Sequence, residues 1–312
     1  MRNIVLLVLD ALRFDHVTPE ITPNLMEIAK KGVFYNNANS VNTATVKAIP
    51  GILCSAQSYS ADNSIATVLK QSGYTTASFH SSPLVGKNFQ AGFDVFIDLH
   101  SQRGIRDRDV RKAVRKYIPE EPLKIIKGVY RKFMDKEDYL PYMRARQVLE
   151  VAASWMSLTE HPWFIWIHLM DPHQPYYPQN DFGISRDEMI KLNDKLIEAA
   201  YRKYKPTFEE VSILKKLYQQ EVMEMDAAIG KWAKNLKDEF LIITADHGEE
   251  FGEYGDFSHH EDKFIPPLQH VPLIIYGGDE KNIIKNDVSH LDISRIIFEN
   301  LGINKKIGVW GD

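Results

Sequence analysis

Cysteine is nearly absent from the chain, which has only Cys54 among its 312 residues. An internal disulfide is therefore excluded. An excess of positive charge is also missing, because the formal net charge is −4 at pH 7. This balance argues against a nucleic-acid binder that relies on electrostatic attraction, and we expect no nucleic-acid partner.

A long hydrophobic run is missing as well. The first apolar stretch, at residues 3–9, is too short to span a membrane, lacks a small-residue cleavage site and ends at Asp10. We interpret this stretch as a buried strand rather than a signal peptide. The sequence thus predicts a cytoplasmic protein with no membrane segment, and it leaves the oligomeric state open.

Repeats, low-complexity tracts and long Gly/Ser linkers do not occur in the sequence. Strand-like runs alternate with helical patterns instead, which favours an α/β fold with a mostly parallel sheet covered on both faces. The pattern predicts strands at residues 3–9, 75–80, 163–169, 239–245 and 271–276. It predicts helices that follow Thr22 or span 208–234 and 292–300. We expect one domain over residues 1–312, with a helical insertion at about 105–160 and no separate C-terminal domain.

Charged side chains follow three of the predicted strands at their carboxyl ends. Asp10 follows the first strand, Asp246 and His247 follow a later one, and His173 comes shortly after the strand at 163–169. Because the carboxyl ends of parallel strands meet at one edge of a sheet, where ligand crevices form, these residues can converge. Carboxylate and imidazole groups together suit a divalent metal. The sequence therefore predicts a hydrolytic metal site at this edge.

Two hydroxyl groups, those of Thr43 and Thr45, precede an apolar helical segment. A threonine at a helix N-terminus commonly caps the helix, since its hydroxyl accepts a backbone N–H. The same place suits a hydroxyl that a metal activates, because the helix dipole favours negative charge there. The residues alone leave both interpretations open.

More histidines follow the Asp-His pair. The acidic run at residues 249–253 is interpreted as a loop that leads to His259, for which we favour a functional role. His260 is interpreted as structural or exposed, and the residues leave the role of His270 undecided.

Five blocks of the sequence resemble the sulfatase family of the alkaline phosphatase superfamily, and they occur in the family's order along the whole chain. They cover residues 4–15 with 22–25, 45–53, 168–176, 244–253, and 270–275 with 289–293. The resemblance implies an alkaline-phosphatase-like three-layer α/β sandwich, with a central, mostly parallel mixed sheet and a metal site on its carboxyl edge. By this resemblance, Asp10, Asp246 and His247 match metal ligands of the family. Thr45 matches the position of the nucleophile, and His173 and His259 match two active-site histidines.

Two departures change the chemistry that the resemblance implies. Sulfatases carry a Cys or Ser that is converted to formylglycine, whereas this chain has Thr45 without the neighbours that the conversion needs. They also usually carry a second Asp after the first, where this chain has Ala11, so an oxygen-rich calcium site is not expected. The remaining set of Asp10, Thr45, Asp246 and His247 is that of threonine-nucleophile phosphotransferases of the superfamily. It is expected to hold one divalent metal ion, manganese or zinc in the first place, with calcium or magnesium as alternatives.

These features predict a metal-dependent hydrolase or transferase that acts on a small anionic ester of phosphate or sulfate. Thr45 is the predicted nucleophile, and His173 and His259 stabilise charge or protonate the leaving oxygen. Substrate binding is assigned to Lys47, Arg13 and His270.

Two alternatives stay open from the sequence. One is a sulfuric ester hydrolase in the literal sense of the family name. The other is a non-catalytic binding protein that keeps the fold with a decayed site, which Ala11 and the residues after Thr45 would favour.

Overall fold

The computed structural model describes residues 1–99, 140–278, 282–284 and 286–310. Its strands are β1 (Ile4–Leu9), β2 (Val33–Asn39), β3 (Thr75–His80), β4 (Val95–Asp98), β5 (Trp163–Leu169), β6 (Phe240–Ala245), β7 (Glu250–Phe251), β8 (Phe257–Ser258), β9 (His270–Tyr276), β10 (Asn282–Ile284) and β11 (Val288–Ser289). Its α-helices are α1 (Pro23–Lys30), α2 (Thr45–Cys54), α3 (Ile65–Gln71), α4 (Ala145–Leu158), α5 (Arg186–Ala200), α6 (Phe208–Ala233), α7 (Pro266–Gln269) and α8 (Ile293–Leu301).

One large sheet organises the described part of the chain. Its strands follow the order β10-β2-β9-β6-β1-β5-β3-β4, and β11 pairs with β2 as well. β9 runs antiparallel to both of its neighbours, β2 and β6, while the other pairs of this sheet are parallel. The result is a mixed, mostly parallel sheet flanked by helices, which confirms the predicted alkaline-phosphatase-like α/β sandwich.

The central strands are apolar on both faces because both faces are covered. Every residue of β1, β5 and β6 is buried, as expected for parallel strands between two layers of helices. α1 and α4 each pack against α6, and α2 packs with α3 and α8. The strands that lead to Asp10 and Asp246 therefore lie in the buried centre of the sheet.

The ends of the predicted elements agree closely with the structure. β3 and β5 have the predicted bounds, and α6 begins as predicted at Phe208, where the Thr207 side chain and Glu210 form a capping box. β2 and β4 were not predicted. β2 turns polar after three residues and is only partly buried, and β4 has four residues at the sheet edge, so neither has a clear apolar pattern.

The predicted helical insertion at about 105–160 lies largely outside the described residues. The part that is described contains α4, and the assignment of residues 1–312 to one domain stays a prediction. Within the ranges that the structure describes, no helix combines the length and the apolar character needed to cross a membrane.

Burial of the central strands predicts a large contrast between two isoleucine truncations. Ile243 is fully buried in β6, whereas Ile197 on α5 is 42% exposed. We expect Ile243→Ala to lower the free energy of unfolding by about 2–5 kcal/mol, because it removes buried methyl groups and leaves a cavity. Ile197→Ala is the matched control and should change stability by less than about 0.5 kcal/mol. Denaturant titration of both variants checks this, and equal losses would contradict the assignment of β6 to the core.

Candidate active site

The register of three neighbouring strands brings the site together. Leu9 at the end of β1 pairs with Ala245 at the end of β6 and with Leu169 at the end of β5. The residues that follow two of these strands, Asp10 and Asp246, are therefore side by side on the carboxyl edge of the sheet, and both are fully buried. The pairing of the strands therefore brings their carboxyl ends together, as the sequence predicts.

Thr45 is the first residue of α2 and does not cap it. The N-cap is Ala44, and no side chain accepts a hydrogen bond from the first turn. The Thr45 hydroxyl, almost fully buried, instead lies 3.2 Å from His247 Nε2 and 3.4 Å from Asp10 Oδ2. Of the two interpretations that the sequence left open, the structure removes the capping one and brings Thr45 to the Asp-His pair.

Within the part of the chain that the structure describes, each of the two aspartates has one satisfied oxygen and one without a partner. Oδ2 of Asp10 lies 2.9 Å from Nε2 of His168, and Oδ1 of Asp246 accepts the backbone N–H groups of Ala11 and His247 at 3.1 and 2.9 Å. Oδ1 of Asp10 and Oδ2 of Asp246 are buried and have no hydrogen-bond donor among the described residues. Burying such oxygens without a partner is costly.

A divalent cation fits these two oxygens. Oxygens of Asp10 and Asp246 and a ring nitrogen of His247 all lie within 4.8 Å of one another. Nδ1 of His247 lies 2.8 Å from the carbonyl oxygen of Gly248, which fixes Nδ1 as the N–H donor and leaves the lone pair on Nε2 for a metal. The chemistry of this donor set, two carboxylates and an imidazole, suits zinc or manganese.

Two unusual backbone positions hold the ligands in place. Ala11 adopts a left-handed conformation with φ of 58°, and this turns its N–H toward Asp246. Gly248 approaches the backbone so closely that a Cβ there would lie 1.9 Å from the carbonyl oxygen of Pro267. Any larger residue at this position would displace the turn that carries His247.

Charge compensation shapes the pKa values of the buried groups. Burial alone would raise the pKa of Asp10, but the positive charges of His173, His168 and His247 and the hydrogen bond from His168 hold it well below its usual range. Burial alone would lower the pKa of His247, and the carboxylates of Asp246 and Asp10 outweigh it and raise that pKa. The buried carboxylates and imidazoles therefore strongly influence one another's pKa values.

The two predicted active-site histidines stand beside this cluster and are partly exposed. The ring of His259 stacks on that of His247, with centroids 4.2 Å apart, and the ring of His173 is 5.0 Å from that of His259. Nδ1 of His259 lies 3.2 Å from a carboxylate oxygen of Glu249, whose other oxygen accepts the hydroxyl of Tyr176 at 2.8 Å. The structure thus brings His173 and His259 together at the rim of the site.

The three predicted substrate-binding residues have different surroundings. Lys47, one turn into α2, is exposed and 4.0 Å from Glu261. The guanidinium of Arg13 is hydrogen-bonded to Asp15, to Glu253 and to the carbonyl oxygen of residue 249. His270 stacks on Phe14 and lies beside a separate cavity of about 350 Å³, which Arg13 also lines. Of the three, Lys47 alone extends from the helix that begins with Thr45, and the substrate-binding roles of all three stay predictions.

Three residues of the site received no role from the sequence. His168 is a lone polar residue in an otherwise apolar, buried strand, and this exception was the feature of the sequence that could have indicated a role in the site. Tyr176 lay inside a recognised block but carried no assignment. Glu249 was assigned to a loop, yet its side chain is fully buried against His259. A run of acidic residues does not reveal which member points inward.

The Sulfatase family model matches residues 2–303 of the chain. A search of curated protein sequences finds no match. Among solved structures, the chain is similar to the phosphonate monoester hydrolase of Agrobacterium radiobacter, with a TM-score of 0.66 and 17% identity over 97% of this chain and 74% of the other. It is similar to BT4656 in complex with its substrate D-glucosamine-2-N,6-O-disulfate, with a TM-score of 0.69 and 16% identity over 98% and 77%. It is also similar to the zinc complex of the C-terminal periplasmic domain of EcEptC from Escherichia coli, with a TM-score of 0.68 and 14% identity over 99% and 86%. At these identities, the likeness to solved structures establishes the fold.

The unpartnered oxygens predict that a metal ion stabilises the folded protein. After treatment with a chelator, added Zn²⁺ or Mn²⁺ should raise the melting temperature, because the ion binds the native site and not the unfolded chain. Asp246→Asn should abolish this rise and reduce the bound metal well below one equivalent. Asp62→Asn, which changes an exposed carboxylate, is the matched control and should behave as the original protein. Thermal unfolding and elemental analysis check this, and an equal response of both variants would contradict the site.

Proposed function

The chain belongs to the sulfatase family, and we propose that it is a metal-dependent hydrolase or transferase of phosphate esters that uses Thr45 as its nucleophile. The observation that carries the proposal is the position of the Thr45 hydroxyl. It is buried, it caps no helix, and it lies within 3.4 Å of both Asp10 and His247, beside two carboxylate oxygens that have no donor among the residues described. A threonine that served only to begin α2 would not need this neighbourhood.

The spacing of the donor atoms supports zinc as the ion. Nε2 of His247 is 3.2 Å from the Thr45 hydroxyl oxygen, 3.5 Å from Asp246 Oδ2 and 3.8 Å from Asp10 Oδ1. A four-coordinate ion with bonds of about 2.0–2.1 Å places its ligand atoms about 3.3–3.4 Å apart. Calcium takes six to eight oxygen ligands at longer distances, and this set offers fewer oxygens and one nitrogen. Magnesium and manganese both suit oxygen ligands, so the imidazole of His247 makes zinc the better match.

The chain's own residues suggest how the reaction proceeds. When bound, the ion would lower the pKa of the Thr45 hydroxyl and neutralise charge on a phosphoryl oxygen. The position of Thr45 at the N-terminus of α2 further favours negative charge on its oxygen. The Thr45 hydroxyl would lose its proton to solvent, and its oxygen would attack phosphorus as the bond to the leaving oxygen breaks; water or an alcohol would then resolve the phosphothreonine and release Thr45. His173 and His259 stand where they can donate to the transferring group or to the leaving oxygen, and Lys47 can attract the anion.

Sulfate ester hydrolysis is the second candidate, and the family supports it directly. The structural neighbour BT4656 binds a sulfated sugar as its substrate. Against it stands Thr45, because a threonine does not supply the formylglycine that sulfatases use. A non-catalytic binding role is disfavoured, since the chain keeps a nucleophile, metal ligands and histidines in contact with one another. Cytoplasmic location stays a prediction.

Replacement of the nucleophile tests the proposal directly. Thr45→Ala should lower turnover of an aryl phosphate or phosphodiester by on the order of 10³-fold or more, because no attacking oxygen remains. Thr45→Ser keeps the hydroxyl and is the matched control, with turnover reduced far less. Metal content and melting temperature of both variants show that the site is intact. Full activity of Thr45→Ala would exclude Thr45 as the nucleophile.

A substrate panel separates phosphate from sulfate chemistry. We expect the metal-loaded protein to hydrolyse p-nitrophenyl phosphate or bis-p-nitrophenyl phosphate faster than p-nitrophenyl sulfate, because Thr45 forms a phosphoester but not formylglycine. The measurement is release of p-nitrophenol with Zn²⁺, Mn²⁺ or Ca²⁺. Faster turnover of the sulfate ester would favour the sulfatase alternative.

A further inference from the structure

The turn that follows β1 carries two groups of the candidate metal site and is held in a costly conformation. Asp10 supplies a candidate ligand, and the backbone N–H of Ala11 donates to Oδ1 of Asp246 at 3.1 Å. Ala11 reaches this position with a φ of 58°, in the left-handed region where a Cβ meets steric resistance. A residue with a side chain keeps such a conformation when its surroundings hold it there.

The hydroxyl of Tyr218 ties the two ends of this turn together. It donates to the carbonyl oxygen of Ala11 and accepts the backbone N–H of Arg13, both at 2.9 Å. The hydroxyl thus uses its proton and a lone pair on the residues on either side of Leu12. Both backbone polar groups of Ala11 are therefore fixed, the N–H by Asp246 and the carbonyl oxygen by Tyr218.

Packing fixes the ring of Tyr218 independently of its hydroxyl. The side chain is fully buried in α6, and its ring meets those of Tyr176 and Phe251 edge-on, with centroids 5.6 and 5.3 Å apart. α6 itself is tied to the start of α1, where Asp226 accepts the backbone N–H of Leu25 at 2.8 Å. Removal of the hydroxyl alone should therefore leave the ring in place and release the turn.

Loss of the turn would affect both carboxylates at once. Asp10 immediately precedes Ala11, and the Ala11 N–H is one of the two N–H groups that Oδ1 of Asp246 accepts. A change of φ at Ala11 would move this N–H away from Asp246 and alter the path of the chain next to Asp10. A four-coordinate ion tolerates little of this, because its ligand atoms must lie about 3.3–3.4 Å apart.

We infer that Tyr218 is a positioning residue of the candidate metal site, which acts through Ala11 to keep Asp10 and Asp246 oriented for one ion. A core tyrosine needs only one partner for its buried hydroxyl, whereas this hydroxyl bridges a left-handed residue next to a candidate ligand. The inference rests on the metal site of the proposed function, and not on its phosphate ester chemistry. Groups that orient metal ligands commonly contribute about 10–100-fold to metal affinity.

The affinity for zinc tests this role. Tyr218→Phe removes the hydroxyl and keeps the ring, and it should weaken Zn²⁺ binding by about 10–100-fold, measured by competition with a chelator of known affinity. Tyr59→Phe is the matched control, because it removes a hydroxyl that donates to the carbonyl oxygens of Phe89 and Ala91, at 3.3 and 3.1 Å. This control should bind Zn²⁺ as the original protein does. Unchanged affinity in Tyr218→Phe, or an equal loss in both variants, would overturn the inference.

Amide hydrogen exchange in the metal-free protein gives a second readout that needs no ion. Tyr218→Phe should speed the exchange of the N–H groups of Ala11 and Arg13 by about 10-fold or more, because the turn opens more readily. Exchange at Leu7, inside β1, should stay as slow as in the original protein, which separates a loosened turn from a loosened fold. Unchanged exchange in the turn would also contradict the role of Tyr218. If the original protein binds no Zn²⁺, the metal site of the proposed function fails, and hydrogen exchange still decides whether Tyr218 holds the turn.

Discussion

Two carboxylates are buried next to each other at the centre of the molecule because β1 and β6 pair in parallel and end at the same level. Leu9 and Ala245 are register partners, so Asp10 and Asp246 must leave the sheet side by side. Their mutual repulsion in a buried place would destabilise the fold if nothing compensated it. Much of the surrounding polar structure serves this compensation: His168 contacts Asp10, the left-handed backbone at Ala11 donates to Asp246, and His247 faces both.

The neighbouring groups that the structure describes compensate only one oxygen of each aspartate. Protein donors satisfy one oxygen of each aspartate and leave the other without a partner among the described residues. Each aspartate is therefore prepared to offer a single oxygen to an ion, which suits a small cation with few ligands better than calcium. The ordering of the satisfied oxygen comes from rigid parts of the fold, since His168 belongs to β5 and Ala11 directly follows Asp10. The ligands are oriented before any ion binds.

The sequence predicted what depends on strong local patterns. Buried strands such as β1 and β6 are apolar and continuous, and Asp10 and Asp246 follow them directly, so both the sheet and the candidate metal ligands could be located. The sequence could not show whether the Thr45 hydroxyl caps the helix or faces the candidate metal site. Either role is possible at the start of a helix, and only the atoms that the hydroxyl contacts distinguish them. It also could not tell Glu249 from its acidic neighbours, since burial of one side chain in a loop depends on contacts with distant residues such as Tyr176. Local sequence patterns therefore predict the strands and the residues at their ends, whereas the contacts of individual site side chains depend on packing between distant parts of the chain.

The residue at position 11 affects the charge of the whole site, and in this chain it is the uncharged Ala11. The sulfatase resemblance places a second aspartate here, and such a residue would add a negative charge next to Asp10. In this chain, the backbone N–H of Ala11 takes up an oxygen of Asp246 instead. Asp10 and Asp246 alone then match the charge of one divalent ion, and the site can accept a further negative ligand, such as the alkoxide of Thr45 and the ester's own oxygen. A site of lower negative charge repels a doubly charged phosphate ester less, in keeping with the phosphate ester chemistry that we propose.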